Sequence, residues 1–477
     1  MTAPWTLLAA LVAATAQAGD DGEGESRDED AMFGGTTAPA ESTPDPAVAP
    51  PESLPGLPAG PSEAAIGAVL AAADDRLVFG GRMYLRSNVA VPEDAEPENV
   101  RLDSPNLLDM FADARPNDTL RAYTSVRLRH DFATLNGDTS VFGQALSPSR
   151  VTLDQMWLKF DVARAVYVTA GRQRVKWGAG RFWNPTDVLN RQRLDALAFF
   201  DERTGVSMVR AHLPIERWGA NVYGVVDIEG ANALVPDEAA ATRVNGVGGA
   251  LRAEWAFPLG EVTATAARRA EGLTVLGGDL SVAVGPLDLR VEGAVAKGGD
   301  AHRWTGALDL SQGTLPTRVD RGEEWIPQVT AGIEVPVRLN DEDTLAMGAE
   351  AFWNDAGYDD PTLYPWLLAQ GDFQGFYVGR AYAAVYAFLS GPGNWDDTAF
   401  TASTLANLSD ESLISRLDVS TTLATYLQLN VFGQVSYGEH GEFFLELDLP
   451  AVPGFLDAPL RVPATRAQAG IGASVRF

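Results

Sequence analysis

Cysteine is absent from this chain of 477 residues, so no disulfide or thiolate metal site is available to it. Lysine is nearly absent: only Lys159, Lys176 and Lys297 occur, and the positive charge is almost all arginine, the better residue for fixed, bidentate pairing. Histidine is limited to His130, His212, His302 and His440, scattered over separate segments. HExxH, P-loop and Cys-ligand patterns do not occur, so no catalytic residue, cofactor or metal is predicted. His212, close to Arg210, is the one histidine placed for a hydrolase site; a polar wall residue is the favoured reading of it. After the first residues no apolar run approaches the roughly 18 needed for a membrane helix. The formal net charge of -28 argues against a nucleic-acid partner.

The first segment reads as an export signal, residues 1–18. Trp5 to Ala14 is apolar and Ala16-Gln17-Ala18 offers a cleavage site, although no Lys or Arg precedes the apolar run. Residues 19–75 read as a periplasmic linker, acidic from Asp20 to Asp30 and proline-rich from Pro39 to Pro61. Such a composition cannot bury enough apolar surface to offset its ordering entropy, so disorder is expected. A short helix is expected at 62–75, with Ser62 as N-cap. The Ala31–Gly35 island reads as plain linker, a docking peptide for a periplasmic partner being the weaker reading.

From Arg76 to Phe477 the period becomes two. Leu120, Ala122, Thr124, Val126 and Leu128 alternate with Arg121, Tyr123, Ser125, Arg127 and Arg129. Leu287, Leu289 and Val291 alternate with Asp288, Arg290 and Glu292, and the pattern recurs to the end of the chain. Apolar-out, polar-in segments of about ten residues, joined by alternately short and long connections, predict a transmembrane antiparallel up-and-down β-barrel. About 18 strands are expected, 16 being the alternative, with Ala90 to Asp118 and Gly178 to Arg203 among the long outer loops and a strand near 139–147. The linker is too short for the folded plug of a TonB-dependent receptor.

Tyr167 to Asn190, YVTAGRQRVKWGAGRFWNPTDVLN, organises the chain. Its alternation predicts a strand to Trp177, with Arg172, Arg174 and Lys176 together on the water side. A ring-rich loop follows. Arg181, Phe182, Trp183, Asn184, Asp187, Arg191 and Arg193 are candidate constriction residues, since so many rings left in water at a loop tip would be costly. An outer loop packed on its neighbours or on lipopolysaccharide is the alternative. The candidate pore-lining residues are Arg82, Arg86, Arg121, Arg127, Arg129, Lys159, Arg172, Arg174, Lys176, Arg210, Glu254 and Glu292. They predict a cationic early wall facing a mixed to acidic later one.

The last strand alternates up to its terminal aromatic, Phe477, and resembles the C-terminal insertion signal of outer-membrane barrels. Gly171, Arg172, Gln173, Trp177, Gly178, Asn184, Pro185 and Asp187 resemble the GRQ-x-x-x-WG...NP-x-D stretch of a group of bacterial outer-membrane barrels related in style to alginate-export-type porins. The resemblance implies a porin-like barrel delivered by the barrel-assembly machinery and set among outer-membrane lipid and lipopolysaccharide. The expected function is passive diffusion of small polar or anionic solutes. A non-conducting barrel serving as an envelope anchor or assembly partner is the alternative.

Overall fold

The computed structural model describes residues 76–477 apart from 95, 97–98, 136, 139–145, 191–196, 198–202, 229–246, 270–271, 311, 341–342, 450 and 452–458. The leader, including the expected export signal and the helix at 62–75, therefore lies outside the described residues.

Eighteen strands form one antiparallel sheet closed on itself. In chain order they are β1 (Leu77–Pro92), β2 (Pro105–Asn117), β3 (Leu120–Asp131), β4 (Ser149–Val162), β5 (Val166–Gln173) and β6 (Val206–Ile215). Then come β7 (Ala220–Asp227), β8 (Gly248–Phe257), β9 (Gly260–Arg268), β10 (Thr274–Val284), β11 (Leu287–Lys297) and β12 (Ile326–Arg338). The last six are β13 (Thr344–Asn354), β14 (Ala381–Ser390), β15 (Thr398–Asn407), β16 (Ser412–Ala424), β17 (Leu427–Gly438) and β18 (Thr465–Arg476). β1 and β18 pair from Arg82↔Arg476 to Pro92↔Thr465, which removes the free edge. The terminal residue seals this seam: Phe477 N–H donates to Gly81 O at 3.0 Å and Gly81 N–H to Phe477 O at 2.9 Å.

The two faces of the sheet are inverted relative to a soluble protein. On β1, Met83, Leu85 and Val89 are 38, 45 and 39% exposed, whereas Tyr84 and Asn88 between them are buried. The same holds around the barrel: Leu251, Val291, Met347, Leu417 and Ile471 point out, and Arg252, Glu292, Glu350, Arg416 and Asn430 are buried inside. A closed barrel with an apolar outer belt and every strand paired is a membrane-spanning structure. Exposed rings mark one rim: Trp218, Trp395 and Tyr426 sit in the short turns after β6, β14 and β16.

Two strand expectations fail, and their errors cancel in the count. Pro105–Asn117 is a strand, not part of a loop from Ala90 to Asp118. Its alternation is blurred because the inner face carries Leu107 and Phe111 beside Asp109 and Asp113. Conversely, β3 pairs directly with β4, so no barrel strand stands between them; of the strand expected near 139–147, residues 139–145 lie outside the described residues, and Leu146 and Ser147 are coil.

Three long connections build a packed cap. His302–Thr305 pairs with Thr317–Asp320, Leu447–Leu449 pairs with Leu460–Val462, and Tyr364–Gln370 is a helix. Tyr358, Leu363, Tyr364, Leu367 and Val378 form the cap's core, with Trp304, Phe373 and Leu445 against it.

Candidate functional site

β5 stops at Gln173 and β6 begins at Val206. The described part of the connection turns into the barrel. Its base lies on the inner wall of β6 to β11: Val175, Trp177, Val188 and Leu189 pack with Met208, Val225, Ala250, Ala267, Val275 and Ala294. Its tip reaches the wall of β13 to β16, where Phe182 and Trp183 pack with Phe352, Tyr382, Tyr386, Leu405 and Ile414. Trp183 is fully buried and stacks on Phe352, with centroids 5.7 Å apart and planes 11° apart. Its indole N–H donates to Phe376 O at 2.8 Å, which ties the tip to the cap.

Two carboxylates from the far wall hold the loop's backbone. Glu350 on β13 accepts the N–H groups of Arg181 at 2.6 Å and of Phe182 and Trp183 at 2.9 Å. Glu292 on β11 accepts those of Ala179 at 2.8 Å, Gly180 at 3.1 Å and Thr186 at 2.6 Å, and the Thr186 hydroxyl at 2.8 Å. The glycines make this approach feasible. Gly178 has φ 111°, and a Cβ there would lie 2.5–2.7 Å from the Asn184 and Glu292 oxygens. A Cβ on Gly180 would collide with the Trp183 carbonyl oxygen.

The rest of the motif fixes the loop's ends. Gln173 donates to the carbonyls of Thr169 at 3.1 Å and Met208 at 3.3 Å. Arg174 pairs with Asp154. Asp187 pairs with Arg203 at 2.6 Å, and Arg269 donates to Val188 O while pairing with Asp227 at 3.2 Å. Of the seven loop candidates, Arg181, Phe182, Trp183, Asn184 and Asp187 lie in this segment; Arg191 and Arg193 are outside the described residues.

The strand registers sort the pore-lining candidates. Arg82, Arg86, Arg121, Arg127, Arg129, Lys159, Arg210, Glu254 and Glu292 occupy inner-face positions. The ladder of Arg172, Arg174 and Lys176 does not form. Arg172 pairs in register with Met156 and Ser207, and Met156 is 60% exposed on the outer face. Arg174 and Lys176 lie beyond the strand's end. The alternation itself was legible, but Tyr167, Thr169 and Gln173 hold the inner face, and periodicity says nothing about where a strand stops.

Most inner arginines have carboxylate partners on the same wall. Asp109 forks Arg127 at 2.7 Å through both oxygens, and Asp113 holds Arg121 at 2.9 and 3.0 Å. Arg252 pairs with Glu254 at 2.8 Å, Arg290 with Asp288 at 3.1 Å, and Arg416 with Asp418 at 2.6 Å. Arg86 and Arg416 both lie over Phe432, at 4.5 and 4.0 Å from its centroid. Asp109 and Asp113 escaped the sequence reading because their strand did. An acid two residues from an arginine on one strand, as in Arg252/Glu254, was the available signal.

The histidines stay apart. His130 contacts Ser149, His212 contacts Asn221, His302 sits beside Asp372, and His440 lies between Glu93 and Glu446. Among the described residues no group of three or more His, Cys, Asp or Glu is arranged to hold a metal ion.

The closed 18-strand sheet, its apolar exterior and its charged interior define a β-barrel of the bacterial outer-membrane type. No protein-family model matches the sequence, and no curated protein matches it. Among solved structures the chain is similar to Acinetobacter baumannii OccAB1, with TM-score 0.53 and 9% identity over 84% of this chain and 96% of that one. Pseudomonas aeruginosa OpdK, solved with vanillate, aligns over 84% of this chain and 98% of its own at 10% identity and TM-score 0.49. A Rhodopseudomonas blastica porin aligns over 84% of this chain and 100% of its own at 11% identity and TM-score 0.40. At such identities the likeness concerns the fold.

Proposed function

We propose that this protein is an outer-membrane channel for passive diffusion of small polar or anionic solutes, narrowed by the inward loop. The observation that carries the reading is a membrane-spanning barrel whose inner wall is charged and in which carboxylates of the later strands fix a loop across the lumen. The activity is diffusion, not catalysis. Arg82, Arg86, Arg129 and Lys159 bias the wall of β1 to β4 towards anions, and Arg181, Phe182 and Trp183 set the constriction.

The remaining parts follow from the same reading. The chain is exported by cleavage near Ala18, residues 19–75 stay in the periplasm and are open to a partner there, and the barrel faces lipid and lipopolysaccharide. Phe477 and the strand before it are read by the barrel-assembly machinery. The motif from Gly171 to Asp187 supports kinship with alginate-export-type porins. Reconstitution of the purified barrel in a planar bilayer tests the proposal. Stepwise conductance with a reversal potential displaced towards anions in a salt gradient is expected; a folded barrel without conductance would replace the channel reading by the anchor.

A further inference from the structure

Six consecutive strands each place one ring on the inner face. On β2, β3 and β4 these are Phe111, Tyr123 and Trp157, with neighbouring centroids 5.9 and 5.3 Å apart and neighbouring planes 19° and 20° apart. On β5, β6 and β7 they are Tyr167, His212 and Tyr223, with centroids 5.9 and 4.5 Å apart. All lie in the half of the barrel nearest the short turns, and none is fully buried. The clusters formed by the inward loop's rings do not include them. A water-filled lumen gives no reason for such a row, since aromatic surface left in water is unfavourable unless a solute covers it.

Three arginines beside the row are held by carboxylates, while Lys159 on β4 and Arg210 on β6 stand on the same inner face. Asp113 holds Arg121, whose guanidinium lies 5.5 Å from the Trp157 centroid. Asp109 forks Arg127 one rung further along, and Glu254 holds Arg252 near Tyr223. Each pair offers donors and acceptors a few ångströms apart. A carboxylate solute meets a guanidinium whose fork is already occupied, and it must displace an aspartate to use it. A hydroxyl both donates and accepts, so neighbouring hydroxyls of a sugar can bridge such a pair without displacing either partner. The C–H-rich face of a pyranose matches an aromatic surface.

We infer that the wall from β2 to β7 is a track for neutral pyranose sugars. The inference deepens the channel reading and rests on it. The test uses the full-length protein in a planar bilayer, with maltotriose, glucuronate and the acyclic polyol mannitol as probes. Maltotriose is expected to reduce single-channel current saturably, with glucuronate weaker and mannitol without saturable effect. Trp157→Leu and Tyr123→Leu keep apolar volume but remove the flat ring. Each should raise the half-blocking concentration several-fold, up to about tenfold, with heat-modifiable migration unchanged. Tighter block by glucuronate than by maltotriose, or block indifferent to both variants, overturns the inference and leaves the channel standing. Should the barrel not conduct, calorimetric titration of the purified barrel with maltotriose decides: binding lost in Trp157→Leu supports the track, and no binding overturns it.

Discussion

Glu350 is the single side chain on which the position of the loop tip depends most. Its carboxylate accepts three consecutive backbone N–H groups, from Arg181, Phe182 and Trp183. Hydrogen bonds to a charged acceptor contribute about 1.5–3 kcal/mol each, and three sharing one carboxylate contribute less than three times that. Glu350→Ala should therefore weaken the docked loop by roughly 3–6 kcal/mol. Glu350→Gln keeps one oxygen, able to serve Phe182 and Trp183, but turns an NH2 towards Arg181 N–H, so it should lose about half as much. Glu292 still holds Ala179, Gly180 and Thr186, so the base of the loop should stay while the tip swings free. In single-channel recording the alanine variant should show larger and noisier conductance, the glutamine variant an intermediate value. The thermal midpoint of heat-modifiable migration should fall in the same order. Conductance and midpoint unchanged in Glu350→Ala would refute the claim that this carboxylate positions the tip.

Three further outcomes follow from named contacts. Gly180→Ala drives a Cβ into the Trp183 carbonyl and should disorder the loop at a cost of about 2–4 kcal/mol, seen as raised open-channel noise; a silent substitution would mean that the backbone there is not held. Glu442, in the connection between β17 and β18, is pushed up to about 8 by burial, with the Asp410 charge adding to the shift and the Tyr382 hydroxyl opposing it. Its raised value means that the closed cap keeps a proton which an opened cap has released above about pH 4.5, so this stabilisation is full below that pH and is lost as pH rises through 8. Proteolysis of the cap should accordingly be faster at pH 9 than at pH 5, and Glu442→Gln should remove that difference; an equal pH effect in the variant would assign it to other groups. Deleting Phe477 removes both seam hydrogen bonds to Gly81 and should lower the yield of heat-modifiable barrel in cells, whereas normal assembly would leave the terminal ring without a role.

The barrel was legible because lipid and lumen impose opposite polarities on alternate residues. β3, β8, β11, β17 and β18 each carry that pattern cleanly, and their registers put the expected residues on the expected faces. The pattern failed where the inner wall is itself apolar. Leu107 and Phe111 made β2 look like a loop with scattered hydrophobics, and Tyr167 and Thr169 made the inner face of β5 look like its outer one. Ion pairing was less legible still. That Arg127 belongs with Asp109 requires knowing that β2 exists and how it is shifted against β3. The glycines and rings of the loop after β5 announced an unusual backbone, but nothing local names the acceptors that backbone meets. Glu292 lies 106 residues beyond Thr186, and Glu350 lies 167 beyond Trp183.

That separation has a consequence for assembly. Glu292 and Glu350 stand on neighbouring parts of the inner wall, separated by β12, and each would be a carboxylate without these backbone donors until the loop arrives. The loop in turn has a run of N–H groups that no strand partner satisfies. Neither half is complete alone, and burying either without the other costs several kcal/mol. Contacts so distant in sequence form only after β11 to β13 have paired, because closing such long loops must precede the gain from their contacts. The loop therefore docks late, into a wall already built. Its glycines keep the backbone narrow enough to enter, and Trp183 packs beside Phe352. The inward segment is in this sense the core that the water-filled barrel otherwise lacks. A change on β11 or β13, far from the loop in sequence, should disturb the lumen as much as a change in the loop itself.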